Sequence, residues 1–243
     1  MQIASPNFIH FRIRWQILGP DSPGQGLERA MFQRFFDELN SNPEFGEYDD
    51  FSYRPDRCQL AKSRGTAQQG GQAFSKVVYS QDALSVVEEF TELSADEFSQ
   101  KIKVVLSCWF KCFSQTCAIA QTSCLRALVT PVHFQNSRDF LANGVLKIGP
   151  ALKEKLDDLP HSVGFNFACQ RKPGNTPMNL EAKASSWRDG RAVWIEVTGV
   201  APMDQPLNAV KHDQAQVVFG RCKEFLESEV IPLLNVYDRE GTD

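Results

Sequence analysis

Apolar and polar residues alternate without a break from Ile9 to Ile17. Ile9, Phe11, Ile13, Trp15 and Ile17 fall on one side, and His10, Arg12, Arg14 and Gln16 on the other. A period of two over this length predicts a strand with one face buried and one in water. Gly19-Pro20-Asp21-Ser22-Pro23-Gly24 breaks the chain. Leu27, Met31, Phe32, Phe35, Phe36 and Leu39 then recur at helical spacing, predicting a helix over 25–40 that Asn40-Ser41-Asn42-Pro43 stops. Residues 44–50 form an acidic loop, and 51–62 predict a strand interrupted by Pro55. The small polar stretch 63–73, with three glycines, predicts a mobile loop or hairpin connection. It lacks Gly-Lys-Ser/Thr and is therefore no phosphate-binding loop. Residues 73–80 and 84–91 predict two strands about Gln81-Asp82-Ala83.

A long helix follows. Ser94 and Glu97 have the spacing of a capping box, in which each side chain bonds the other residue's amide. Phe98, Ile102, Val105, Trp109 and Phe113 make one apolar stripe, with Lys101, Lys103 and Lys111 assigned to the opposite face.

The second half repeats this order. Residues 118–132 contain a strand; Ser137 and Arg138 open a short helix through Val145; Gly149-Pro150 interrupts it before a further turn or two to Leu156. Residues 163–168 predict a strand and 171–177 a loop. Strands over 179–187 and 191–200 flank Arg188-Asp189-Gly190, whose Asp-Gly pair is a hairpin signal. A loop over 201–208 leads to a final helix from about 210 that ends near Pro232. At an offset of 189 − 82 = 107, Asp82, Val86, Glu89 and Thr91 coincide with Asp189, Val193, Glu196 and Thr198. The expected fold is therefore α+β: two similar antiparallel sheet units, 1–117 and 118–243, each ending in a long helix packed on its sheet. The two units can also form one pseudo-symmetric domain.

This order resembles a sporadically distributed family of uncharacterised prokaryotic proteins, by element sequence and hydrophobic pattern across most of the chain. Those proteins tend to open their second half with an Arg-rich strand ending in aromatic and Asn residues. The strand here, Leu125-Arg126-Ala127-Leu128-Val129-Thr130-Pro131, keeps the arginine and departs in the rest. The resemblance implies the repeated architecture and no established activity, so no functional residue is carried over.

Composition narrows the function classes. Of 243 residues, 42% are apolar and 23% charged, which excludes a collagen-like, largely disordered or membrane-spanning chain. The net charge is −4, and acidic residues outnumber basic ones in both halves, which argues against a nucleic-acid backbone as partner. The seven cysteines are odd in number, and the first residues lack a basic segment followed by an apolar one. A reducing, cytoplasmic location is the expectation.

Candidate chemistry is sparse. Cys108 and Cys112 share a helix face with Cys117 nearby, but no C-x₂-C knuckle occurs and the four histidines are scattered, so the thiols read as core. Cys124 or Cys169 with His133 or His161 would need the fold to bring them together. Glu181-Ala182-Lys183 puts a carboxylate and an amine on one strand face. With a second carboxylate, nominally Asp56, it would suit metal-dependent phosphodiester cleavage; the plainer reading is a cross-face salt bridge. Phe110 and Phe219 lie off their helices' stripes and either widen the buried face or meet another subunit. With no metal or cofactor site expected, the leading reading is a non-catalytic module. It would bind another polypeptide, or a second copy of itself, at a sheet edge or in the groove between the halves. The alternative is a nuclease or phosphodiesterase using Glu181 and Lys183.

Overall fold

The computed structural model describes residues 3, 5–18, 29–45, 48–67, 71–80, 82–114, 116–156, 159–171, 177–188, 190–208 and 214–238. The predicted break at 19–24, the start of the first helix, most of the 171–177 loop and residues 209–213 lie outside them. The strands are β1 (Asn7–Leu18), β2 (Asp50–Arg54), β3 (Arg57–Thr66), β4 (Gln72–Ser80), β5 (Ala83–Glu89), β6 (Cys117–Val129), β7 (Gly164–Arg171), β8 (Met178–Ser186) and β9 (Val193–Leu207). The helices are α1 (Arg29–Asn40), α2 (Ala95–Cys112), α3 (Ser137–Asp139), α4 (Gly149–Leu156), α5 (Val217–Phe225) and α6 (Ile231–Tyr237). Wider π-helical turns, Phe140–Val145 and Leu226–Val230, follow α3 and join α5 to α6.

All nine strands belong to one antiparallel sheet in the order β2-β3-β4-β5-β1-β6-β9-β8-β7. The molecule is thus α+β with one large sheet. In place of the two sheets expected, the strands of 1–117 and 118–243 are continuous, joined where β1 pairs with β6 in register from Asn7↔Leu128 to Leu18↔Cys117 with two bulges.

The period-two pattern decides which face is buried. Phe11, Ile13, Trp15 and Ile17 of β1 are all buried, as are Leu84 and Val86 of β5, Leu125 and Ala127 of β6 and Ile195 and Val197 of β9. Helices cover this face. Trp109 of α2 stacks on Tyr79, with ring centroids 5.2 Å apart, and meets Phe35 of α1 edge-on at 5.5 Å. Its indole Nε1 donates to Thr116 Oγ1 at 3.0 Å, so this large ring is buried without an orphaned donor. The capping box at Ser94 forms as its spacing predicts: Glu97 N donates to Ser94 Oγ at 3.2 Å and Ser94 N to Glu97 Oε2 at 2.7 Å.

Several boundaries differ from the sequence reading. Residues 51–62 hold two strands turned at Pro55-Asp56, which gives the first half one strand more than the second. β9 continues through the predicted loop to Leu207, because β6 is long enough to pair with it. Its two prolines are accommodated where the register shifts between Ala118 and Ala120. The last helix passes Pro232 and ends at Tyr237. Pro232 lies inside a helical run continuous from Val217 to Tyr237, directly after the π turn, a widening of the kind that eases a proline into a helix. Lys101, assigned to the solvent face of α2, is 2% exposed.

Candidate functional site

The helix-free face of the sheet presents a row of polar side chains set by strand register: Glu89 (β5), His10 (β1), Arg126 (β6), Glu196 (β9), Lys183 (β8) and Asn166 (β7). His10 Nδ1 lies 2.6 Å from Glu89 Oε2, and Arg126 Nε donates to Glu196 Oε2 at 2.7 Å. Arg126 also sits over the Trp194 ring, 5.8 Å from its centroid. Burial disfavours the Arg126 charge, but the Glu196 hydrogen bond and the nearby acidic groups outweigh it and raise its pKa.

Glu181 and Lys183 belong to this face. They form a salt bridge at 3.3 Å, and Asn166 donates to Glu181 Oε1 at 2.8 Å. The Asn166 bond and then the Lys183 bond pull the Glu181 pKa below the usual carboxylate range. Asp56 lies in the β2–β3 turn, on the far side of the sheet's centre from β8, so the structure does not bring the two carboxylates together. Among the described residues no group of three or more His, Cys, Asp or Glu could hold a metal ion.

The thiols are quiet. Burial pushes Cys58 up to about 12 and Cys108 and Cys124 up to about 11, and also raises Cys112 and Cys222. These five are therefore neutral near pH 7, whereas a nucleophile or metal ligand needs the thiolate. His133 is held through its backbone, whose amide donates to Asp238 Oδ1 at 3.0 Å, and His161 is exposed.

Between the halves, α2 and α5 touch through side chains. Phe219 of α5 packs on Phe98 of α2 at 5.0 Å and edge-on to Phe11 at 5.5 Å, and Lys223 Nζ reaches Asp96 Oδ1 at 3.0 Å. Phe110 and Phe219 are buried within the chain and unavailable to another subunit.

The sheet's outer edges remain. β2 is five residues long, begins at Asp50, ends at Arg54 and is followed by Pro55, the features that deter further pairing. β7 is eight residues long, without proline and without charge before Arg171. It pairs with β8 along its whole length, and its other side has no strand partner among the described residues. Phe165 and Phe167 stack at 5.9 Å toward the helix side, and Phe167 meets Phe225 edge-on at 6.0 Å. A cavity of about 290 Å³ adjoins the strand's end, floored by Met178, Leu180 and Phe225 and rimmed by Arg171 and Arg221, each paired with a glutamate.

Sequence reasoning missed two features. One is the polar row, although the 107-residue offset had already matched Glu89 to Glu196. The other is a buried cluster at α2, in which Lys101 Nζ donates to Glu88 Oε1 at 2.6 Å and to Ser75 Oγ at 2.7 Å. Its signal was parity: Glu88 follows Leu84 and Val86 at steps of two, and so must face the helices. Burial disfavours the Lys101 charge, and Tyr48 and Glu88 outweigh it, so its pKa is raised and the ammonium persists. Compared with protein-family models, curated proteins and solved structures, the chain matches none of them.

Proposed function

We propose that the chain is a duplicated sheet-and-helix unit that acts as a non-catalytic binding module, adding an extended segment of another polypeptide to the outer edge of β7. The strand order supports the duplication. From the β1–β6 seam it runs outward through β5, β4 and β3 on one side and β9, β8 and β7 on the other. The matched Glu89 and Glu196 flank that seam symmetrically, pairing with His10 and Arg126.

The observation that carries the binding reading is the contrast between edges: β2 is short and guarded, while β7 is long and unguarded. Backbone groups along β7 would supply hydrogen bonds to an added strand. The half-buried Phe165 and Phe167 and the adjoining cavity favour a partner with an apolar residue at every second position.

Panning the full chain against a random peptide library tests this, with hydrogen exchange measured on each complex. Selected peptides are expected to alternate apolar and polar residues and to slow exchange of the Gly164–Arg171 amides. Protection of β7 by a second copy of the chain would place self-association at the same edge. Binders that protect β2, or none that protect β7, would refute the reading.

A further inference from the structure

A second site lies at the end of the first half, independent of the β7 edge. A cavity of about 690 Å³ opens where β1 starts, β3 and β5 end and α2 begins. A small cavity of about 40 Å³ adjoins it, reaching Tyr48, Ser75 and Lys101. Arg64 and Leu93 line both. The larger volume is that of a site for a small organic molecule.

Arg64 is the more loosely held of the two cations at Glu88. Among the described residues its one polar contact is the salt bridge from NH1 to Glu88 Oε2 at 3.8 Å, beyond hydrogen-bond distance, and its side chain is 33% exposed. Glu88 is wholly buried. Its Oε1 accepts from Lys101 and Ser75, while its Oε2, on the Arg64 side, has no hydrogen-bond partner among the described residues. Two cations, Lys101 and Arg64, face the one carboxylate of Glu88, so the three groups carry one net positive charge, and its exposed end is Arg64. A guanidinium is planar and offers five donors, so one edge can close on Glu88 Oε2 while the other faces a ligand oxyanion.

The other walls limit what that ligand is. Phe8, Phe90 and Leu93 are apolar. Phe90 has a φ of +46°, a backbone conformation that a bulky residue rarely adopts. Its ring lies against Gly71, where a Cβ would fall 1.7 Å from a ring carbon, so the ring's place depends on glycine there. Glu92 and Glu97 line the larger cavity and Glu44 the smaller one. Glu97 is engaged at the Ser94 cap. These carboxylates oppose a highly charged anion.

We propose that this cleft binds a small organic anion: one carboxylate or phosphate monoester on a planar apolar body, held by Arg64 with the body against Phe8 and Phe90. The two oxyanions share one chemistry, and separate probes tell them apart. The full chain is titrated with 2-naphthoate, 2-naphthyl phosphate and inorganic phosphate, followed by calorimetry and amide shifts. The same titrations are run on Arg64→Met and, as a control at the β7 cavity, Arg171→Met.

Binding of either naphthyl compound is expected, shifting amides around Phe8, Phe90 and Leu93. It should weaken at least tenfold in Arg64→Met and stay unchanged in Arg171→Met. Whichever naphthyl compound binds more tightly identifies the oxyanion. The proposal falls if neither binds, if Arg64→Met binds as the parent does while its amide spectrum shows it folded, or if inorganic phosphate binds as tightly as the naphthyl compounds. Each result is independent of peptide binding at β7.

Discussion

The two long helices meet the same sheet in opposite ways. Under α2, in the first half, a charged pair is buried: Lys101 on the helix and Glu88 on β5, with Ser75 bonded to both and Tyr48 beside them. Under α5, in the second half, Cys222 comes down on Gly199 of β9, where a Cβ would stand 2.5 Å from the Cys222 sulfur and 3.1 Å from Val218 Cγ1. One interface sets a polar cluster into an apolar stripe, and that cluster needs every partner in place. The other is apolar and needs an absence of side chain. Removing a group should therefore damage the first, and adding one the second.

The largest expected effect comes from breaking the ion pair. Lys101→Met removes the hydrogen-bonded cation of a buried carboxylate, leaving only Arg64 at 3.8 Å, and should cost about 3–5 kcal/mol in denaturant unfolding. Lys101→Met with Glu88→Gln should recover most of the loss, since a neutral pair needs no counter-charge. If the double variant is no more stable than the single one, the pair is not the organising feature of this half. Gly199→Ala should cost about 1–3 kcal/mol by overpacking α5 against β9, with partial relief from Cys222→Ala in the same background. Additive losses in those two variants would show that α5 does not rest on Gly199.

A smaller effect is expected at the start of α2. Ser94→Ala should cost about 1 kcal/mol by removing the acceptor for the Glu97 amide. The Ser94 amide bond lowers the Glu97 pKa in the folded chain, followed by the Ser94 side-chain bond. That contribution is therefore complete above the ordinary carboxylate range and is lost as pH falls through the lowered folded value. Hydrogen exchange should show the first turn of α2 loosening on acidification in the parent, and loose at every pH in Ser94→Ala. The smallest effect belongs to Glu181→Gln, which should leave the melting temperature unchanged because its salt bridge is solvent-exposed.

Much of the fold was legible because burial and period coincide. β1 and the α2 stripe are each a single uninterrupted pattern, and both lie where the pattern puts them. The errors came where long-range pairing overrides local signals. The prolines of 201–208 read as a loop until β6 supplies a partner strand, and Lys101 reads as solvent-facing until Glu88 and Ser75 supply one. Glu181 and Lys183 were placed correctly on one strand face, but a tripeptide carries no information about which residues lie across the sheet. The β7 edge and the Arg64 cleft had no signature at all, because one is defined by a missing neighbour strand and the other by which distant strand ends and helix start converge.

Placing β1 at the centre of the sheet has a consequence for biosynthesis. It leaves the ribosome ahead of both its neighbours, and some 65 residues must follow its last one before β5 begins, and more before β6. Until then Phe11, Ile13, Trp15 and Ile17 lack both the flanking strands and the cover of α2 and α5 that will bury them. Nascent chains stalled before β5 should consequently be sticky, chaperone-dependent and readily digested, and acquire protease resistance only once the seam can close.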